Sequence, residues 1–434
     1  MFYVRAVHFA ASIMAAGVVF FVVFIAEPAF HKAPIDSKIT SALRLSLARI
    51  AWISIAFSVL SGVIWLVLVS ASMSGQPIAD VYGRGTSWTV LSQTDFGNAW
   101  LARSVVICVL AGLLIPLLSV AGAKPLWLKA AALMFAASLV GSLAWAGHAI
   151  GAQGIEGIVH PAADVLHLIA ASAWVGTLVA LALLLWMTGE DADLLPVARA
   201  ATLRFSTLGI ASVAMLLLTG MVNAWYLVGS VSALTESNYG RLLLIKLALF
   251  LTMVGIAAFN WSQLTPMLKN ADIGAARVAR RALCRNAAIE ASLGTVIISI
   301  VAVLGTLPPA NHSHHEVPSS AIPAEASLQH IHGEDGMTDV LIEPGHIGTL
   351  SATIPLLNDD LESLPTKAVK LTLTAPTPGS KPLTRTAAQD ADGLWHFDGV
   401  QLPVAGNWTV SVAATLTSNN KRLEFTAPGV TDPK

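Results

Sequence analysis

Eight apolar runs, near residues 5–30, 44–72, 98–121, 126–149, 161–187, 204–230, 240–264 and 284–307, leave this chain little choice of fold. Each is long enough to cross a hydrocarbon core, which takes about 20 residues at helical rise. Peptide groups in lipid have no water to bond, so each run must satisfy its own N–H and C=O groups as a helix. Only 12% of the residues are charged, about half the share of an average soluble domain. A net charge of −1 excludes the basic footprint of a nucleic-acid binder. The first run lacks a small-residue cleavage site and reads as a retained span. Residues 73–97, rich in Gly, Pro and Trp, read as an interfacial loop. Cys108 and Cys284 lie in or beside apolar runs and give no disulfide framework; Cys108 reads as a small buried residue.

The basic residues orient the bundle. Connections one–two, three–four, five–six and seven–eight carry thirteen Lys and Arg, against Arg5, Arg84, Arg103 and Arg241 on the other side. By the positive-inside rule the first set is cytoplasmic, and both ends of the bundle face outward. The resulting division is a membrane domain over 1–307, a His-rich outer linker over 308–337 and an outer domain over 338–434. Short β-rich segments in the last part, such as AVKLTLTA and NWTVSVAATL, are separated by turn residues. The fold class is therefore an all-α polytopic membrane bundle of eight transmembrane helices followed by a small all-β, Ig-like sandwich, with Trp395 and Trp408 in its core.

Eleven of the twelve histidines fall on the outer side of this topology. His160, Asp164 and His167 stand at i, i+4, i+7 and share one helical face, with His160 read as the cap and Pro161 as the first helical residue. His167 then lies roughly 9 Å inside the entrance. His8 in span one and His148 at the end of span four are expected near the same depth. Intramembrane ionisable groups are costly and mark candidate functional sites, and imidazole is the commonest transition-metal ligand. His8, His148, His160 and His167 are thus candidate ligands, with Asp164 orienting an imidazole or neutralising the ion. Met14 offers a thioether below His8, suited to Cu(I). In the linker, His312, His314, His315, His330, His332 and Met337 offer imidazole and thioether donors. A histidine must shed its proton to ligate, so metal affinity is expected to fall as pH drops through about 6.5. Glu290 in span eight is expected to meet Arg204 or Asn260 rather than Lys246 of span seven. Both acid and lysine read as structural braces or as parts of a proton or ion path.

The blocks HPAADVLHLIAASAWVGTL, LRFSTLGIASVAMLLLTGMVNAWYLVG, YGRLLLIKLALFLTMVGIAAFNW and RNAAIEASLGTVIISIVAVLGTLPPA resemble the CopD family of bacterial copper-resistance and copper-transport membrane proteins. The likeness covers four spans, about 150 residues. It implies a non-enzymatic inner-membrane protein that moves copper ions, as Cu(I) or Cu(II), from periplasm to cytoplasm, often with a periplasmic chaperone of the CopC type. No CopC-like domain is read ahead of the first span. The outer domain, in GLWHFDGVQLPVAGNWTVSV, resembles the YtkA-like periplasmic sandwich. Two other functions fit the histidines: a membrane redox protein holding haem b between His8 and His167, with Gly17 and Gly176 leaving room for it, or a membrane-anchored copper chaperone.

Overall fold

The computed structural model describes residues 1–30, 37–74, 78, 81, 86–119, 123–146, 156–189, 191–228, 234–235, 237–268, 272–307, 327–333, 336–343, 348–357, 364–375, 382–389, 394–402, 408–417 and 422–428. The chain divides into two compact units, Met1–His314 and His315–Lys434.

Among the described residues of the first unit, eight helices are long and apolar enough to cross a membrane. They are span one (Phe2–Phe30), two (Lys38–Ser72), three (Phe96–Leu118), four (Leu126–Trp145), five (Ile158–Met187), six (Ala192–Leu227), seven (Asn238–Met267) and eight (Ile273–Leu304). Spans two, six and eight start six to twelve residues earlier than their apolar runs. Their first turns are charged or polar, and a helix continues past the hydrocarbon wherever its backbone bonds remain favourable. The stretch read as an interfacial loop contains a helix, Thr86–Gln93, and Thr94 then caps span three by accepting the Gly97 N–H at 3.1 Å.

An even number of crossings returns the chain to its starting face. Arg5 Nη1 accordingly donates to the Gly305 carbonyl at 2.5 Å, joining the start of span one to the end of span eight. The other face carries Arg44, Lys129, Arg204 and Arg277 and is called the basic face below. Span one is the axis, packed against spans two, four, five and eight. Gly17 and Gly176 let it meet span five backbone to backbone: a Cβ on Gly176 would lie 2.5 Å from the Ile13 carbonyl oxygen and 2.9 Å from the Gly17 Cα. These are the glycines that the sequence offers as room for a haem. They close the helices on each other instead, because small residues in lipid are used for packing. Trp52, Leu60, Val105, Leu218 and Met221 point outward, as does Cys108, which is exposed rather than buried. An outward apolar side chain is at ease against lipid, and a thiol behaves as one.

At the basic face Glu27 joins three spans. Its carboxylate is 2.5 Å from Lys129 Nζ and 3.5 Å from Arg44 Nη2, with only 4% of the residue exposed. Glu27→Gln leaves two cations facing one another without the acid. Since Lys129 keeps some exposure, a loss of roughly 2–4 kcal/mol is expected, below the full cost of a dry pair. Thermal unfolding in detergent measures it, and an unchanged midpoint would show that the triad holds nothing together.

Among its described residues the second unit has ten strands: β1 Ser327–Gly333, β2 Gly336–Glu343, β3 Gly348–Ile354, β4 Leu356–Leu357, β5 Thr366–Thr374, β6 Leu383–Thr386, β7 Ala388–Gln389, β8 Trp395–Leu402, β9 Thr409–Leu416 and β10 Arg422–Pro428. They form two antiparallel sheets, β1-β2-β3-β8-β7 with β4 also on β2, and β10-β9-β5-β6. Alternate residues of both sheets share one core, including Val340, Ile342, Val369, Leu371, Val410 and Val412. Trp395 and Trp408 are buried in it as expected, and Trp395 Nε1 donates to Thr366 Oγ1 at 3.0 Å. β1 starts at Ser327, within the stretch read as linker, and buries Ile331. The histidine-rich composition of that stretch masks a strand whose apolar residues are few.

Candidate functional site

Span five runs as one helix from Glu156, so Pro161 lies inside it rather than at its first position and His160 is not a cap. Proline removes one main-chain bond, a loss borne near the membrane surface where the freed carbonyl can find another donor. The face read from the sequence survives: His160, Asp164 and His167 line one cavity of about 230 Å³. Lys246 and Tyr239 of span seven, Asn223 of span six and Arg5 of span one line it too.

His160, Asp164 and His167 each have a partner on span six. His167 Nδ1 meets Thr219 Oγ1 at 2.9 Å, Asn223 Nδ2 donates to Asp164 Oδ1 at 2.6 Å, and the His160 ring stacks on Tyr226 with centroids 5.0 Å apart. Thr219, Asn223 and Tyr226 repeat the i, i+4, i+7 spacing in the opposite order, as an antiparallel neighbour must. Sequence reasoning missed these partners because none carries a charge at neutral pH, although the matching spacing was there to find.

The bonds also settle where protons sit. The Thr219 hydroxyl donates to the Met215 carbonyl at 2.7 Å, so it accepts from His167 Nδ1–H, and Nε2 keeps its lone pair. His160 Nε2 is buried without a hydrogen-bond partner. Two imidazole rings and a carboxylate thus line one wall, with the lone pair of His167 fixed at Nε2. Among the described residues, no three His, Cys, Asp or Glu side chains stand close enough to enclose one metal ion. The wall is a ladder of donors rather than a cage.

His8 is elsewhere, although spans one, four and five are neighbours as the sequence reading required. It lines a pocket of about 30 Å³ with Trp65, Trp100 and Arg103. Ser61 Oγ donates to the Phe57 carbonyl and so accepts from His8 Nδ1 at 3.0 Å, leaving Nε2 buried without a partner. Beside it the Arg103 guanidinium, 8% exposed, donates to Leu139 O at 3.0 Å, Ser142 Oγ at 2.6 Å and Ser12 Oγ at 2.7 Å. No carboxylate pairs with Arg103 among the described residues. An uncompensated positive charge works against a second cation in that pocket.

The remaining candidates divide. Met14 lines neither cavity. His148, His312, His314 and His315 lie outside the described residues. In the second unit the β1–β2 hairpin sets His332 opposite Met337 and His330 opposite Asp339. Further toward the basic face, Asn260 Nδ2 donates to Glu290 Oε1 at 2.9 Å, one of the two partners expected for that acid.

Comparison with known proteins bears on the metal. Residues 1–158 match the family model "Copper resistance protein D-like, N-terminal domain", and residues 199–304 match "Copper resistance protein D". Copper resistance protein D of Pseudomonas syringae pv. tomato is 34% identical over 277 residues, 61% of this chain and 83% of that protein. Copper transport protein CutJ of Bacillus subtilis (strain 168) is 25% identical over 304 residues, 70% of this chain and 52% of CutJ. Inner membrane protein YebZ of Escherichia coli (strain K12) is 29% identical over 245 residues, 56% of this chain and 79% of YebZ. Both family models fall on the eight-helix unit, and one relative is a third identical over most of its own length. This multi-pass inner-membrane chain belongs to the copper resistance protein D family.

Proposed function

We propose that the membrane unit carries copper ions from the periplasm to the cytoplasm, and that His160, Asp164 and His167 form its entry site. The observation that carries this reading is the cavity wall with two imidazole rings and a carboxylate, held in place by span six. Imidazole suits copper, and a ladder of donors lets an ion bind and leave again, as conduction requires. Asp164 supplies negative charge against the Lys246 ammonium in the same cavity. A copper ion entering the cavity therefore competes with Lys246 for that carboxylate. The thirteen basic residues of the opposite face support a cytoplasmic assignment for it and a periplasmic one for the second unit. In that unit the hairpin of His330, His332 and Met337 gathers copper for delivery, a task shared with a chaperone of the CopC type, and the YtkA-like likeness belongs to the same proposal.

Proteoliposomes enclosing a copper-responsive dye test it. The intact chain is expected to raise the rate of copper entry over empty vesicles, and Asp164→Asn to lower that rate about tenfold. Equal rates for the chain and for empty vesicles would remove transport from the reading.

A further inference from the structure

Between spans five, six, seven and eight, toward the basic face, lies a second and larger cavity of about 460 Å³. Its wall is mostly apolar, with Leu178, Phe205, Val213 and Ala257; Thr202, Ser206, Asn260 and Thr265 add uncharged polar groups, and Glu290 is the acid that enters it. Glu290 is 1% exposed. Asn286 Nδ2 donates to Asn260 Oδ1 at 2.7 Å, which turns the Asn260 amide so that its Nδ2 must face Glu290 Oε1. One carboxyl oxygen is thereby held, while Oε2 is buried without a hydrogen-bond partner. Asn260 opens a π-helical turn, Asn260–Leu264, a device found often at functional positions.

Among the described residues, no lysine or arginine nitrogen lies within 4 Å of this acid. On its own span, Arg280 donates to Leu185 O at 2.5 Å and Cys284 Sγ to Ala182 O at 3.4 Å. On span seven Lys246 lines the outer cavity, as do Asp164, His160 and His167 of span five and Arg5 of span one. Also on span one, His8 is engaged by Ser61 and Glu27 by Arg44 and Lys129. On span six Arg204 lines a separate cavity. A buried carboxyl with no cation beside it is neutralised by a proton, and the unpartnered Oε2 is where that proton belongs.

We infer that Glu290, braced by Asn260 and Asn286, is an exchangeable proton site of the membrane unit, its ligand the hydrogen ion. The step is a simple one: Oε2–H gives its proton to water in the inner cavity, and the carboxylate left behind takes one back. Gly294, one turn further along span eight, lines the outer cavity, where Val175 is packed on it. The proton site and the donor wall are thus neighbours along one helix, separated by Val175 and the buried Trp174. The inference stands apart from the copper reading, because the proton site needs no copper to be detected.

Dicyclohexylcarbodiimide tests it on the full chain in lipid vesicles. This apolar reagent adds only to a protonated carboxyl: the acid's proton passes to a reagent nitrogen, the carboxyl oxygen bonds to the central carbon, and an acyl shift leaves a stable N-acylurea. Peptide mass spectrometry is expected to find the label on residue 290, with labelling at pH 7 still about half or more of that at pH 5, where a solvated glutamate of ordinary value near 4.3 would be mostly ionised in both cases. Glu290→Gln should carry none. Should that variant fail to fold, Glu290→Asp keeps an acid in place and is read at the same peptide. No label at 290, or a label lost by pH 6, would overturn the inference. Protection by sodium at fixed pH would overturn it too, by making the site one for a metal cation.

Discussion

Replacing His160 and His167 together by alanine is expected to weaken copper binding to the membrane unit by about a hundredfold or more, with the chain still folded. The two rings supply the imidazole nitrogens of the described wall, and the loss of even a residue that merely orients a ligand costs about 10–100-fold. Thr219→Val provides that intermediate case. It removes the acceptor that keeps the proton on His167 Nδ1, so Nε2 no longer holds a fixed lone pair, and a loss of about tenfold is expected. Lys246→Met should act in the opposite sense, because it removes the cation that competes for Asp164. Equilibrium competition with a chelator, on chain bearing His330→Ala and His332→Ala to silence the second unit, reads all of these. Unchanged affinity in the double variant would sink the assignment. Loss of binding in His8→Ala alone would move the site to the pocket beside Arg103.

The eight crossings were legible because lipid enforces a continuous apolar run, and no other demand on a sequence is so plain. The face of His160, Asp164 and His167 was legible too, since three ionisable residues at helical spacing are rare inside a membrane. What supports them was not, because Thr219, Asn223 and Tyr226 look like ordinary members of a long helix until span six is set antiparallel to span five. Arg103 shows the converse difficulty: it counts as one more outer positive charge in the sequence, while in the fold it is buried beside His8. Depth alone put His8 and His167 together. Direction around the helix separates them, and that depends on which neighbours each span has. β1 was hidden for another reason, since QHIHG reads as a tether until Ile331 has a core to enter.

Gly176→Leu is expected to do more damage than any change at the donor wall, by preventing spans one and five from meeting at all. A Cβ at that position would lie within 2.9 Å of main-chain atoms of span one, and main chain cannot step aside as a side-chain end can. Overpacking a tight core costs about 1–3 kcal/mol when neighbours can shift, so a larger loss is expected where they cannot. Span one is the axis of the unit, so its displacement disturbs its packing against spans two, four and eight as well. The chain itself supplies the control. Gly112 and Gly255 are also helical and apolar in setting, yet a Cβ on either meets nothing within 4 Å. Leucine at those positions should be neutral or stabilising by up to about 1 kcal/mol, because a helix interior favours it over glycine. Size-exclusion profiles after graded heating in detergent separate the cases. If Gly176→Leu kept the same midpoint as Gly255→Leu, the close crossing of spans one and five would not be what holds this bundle together.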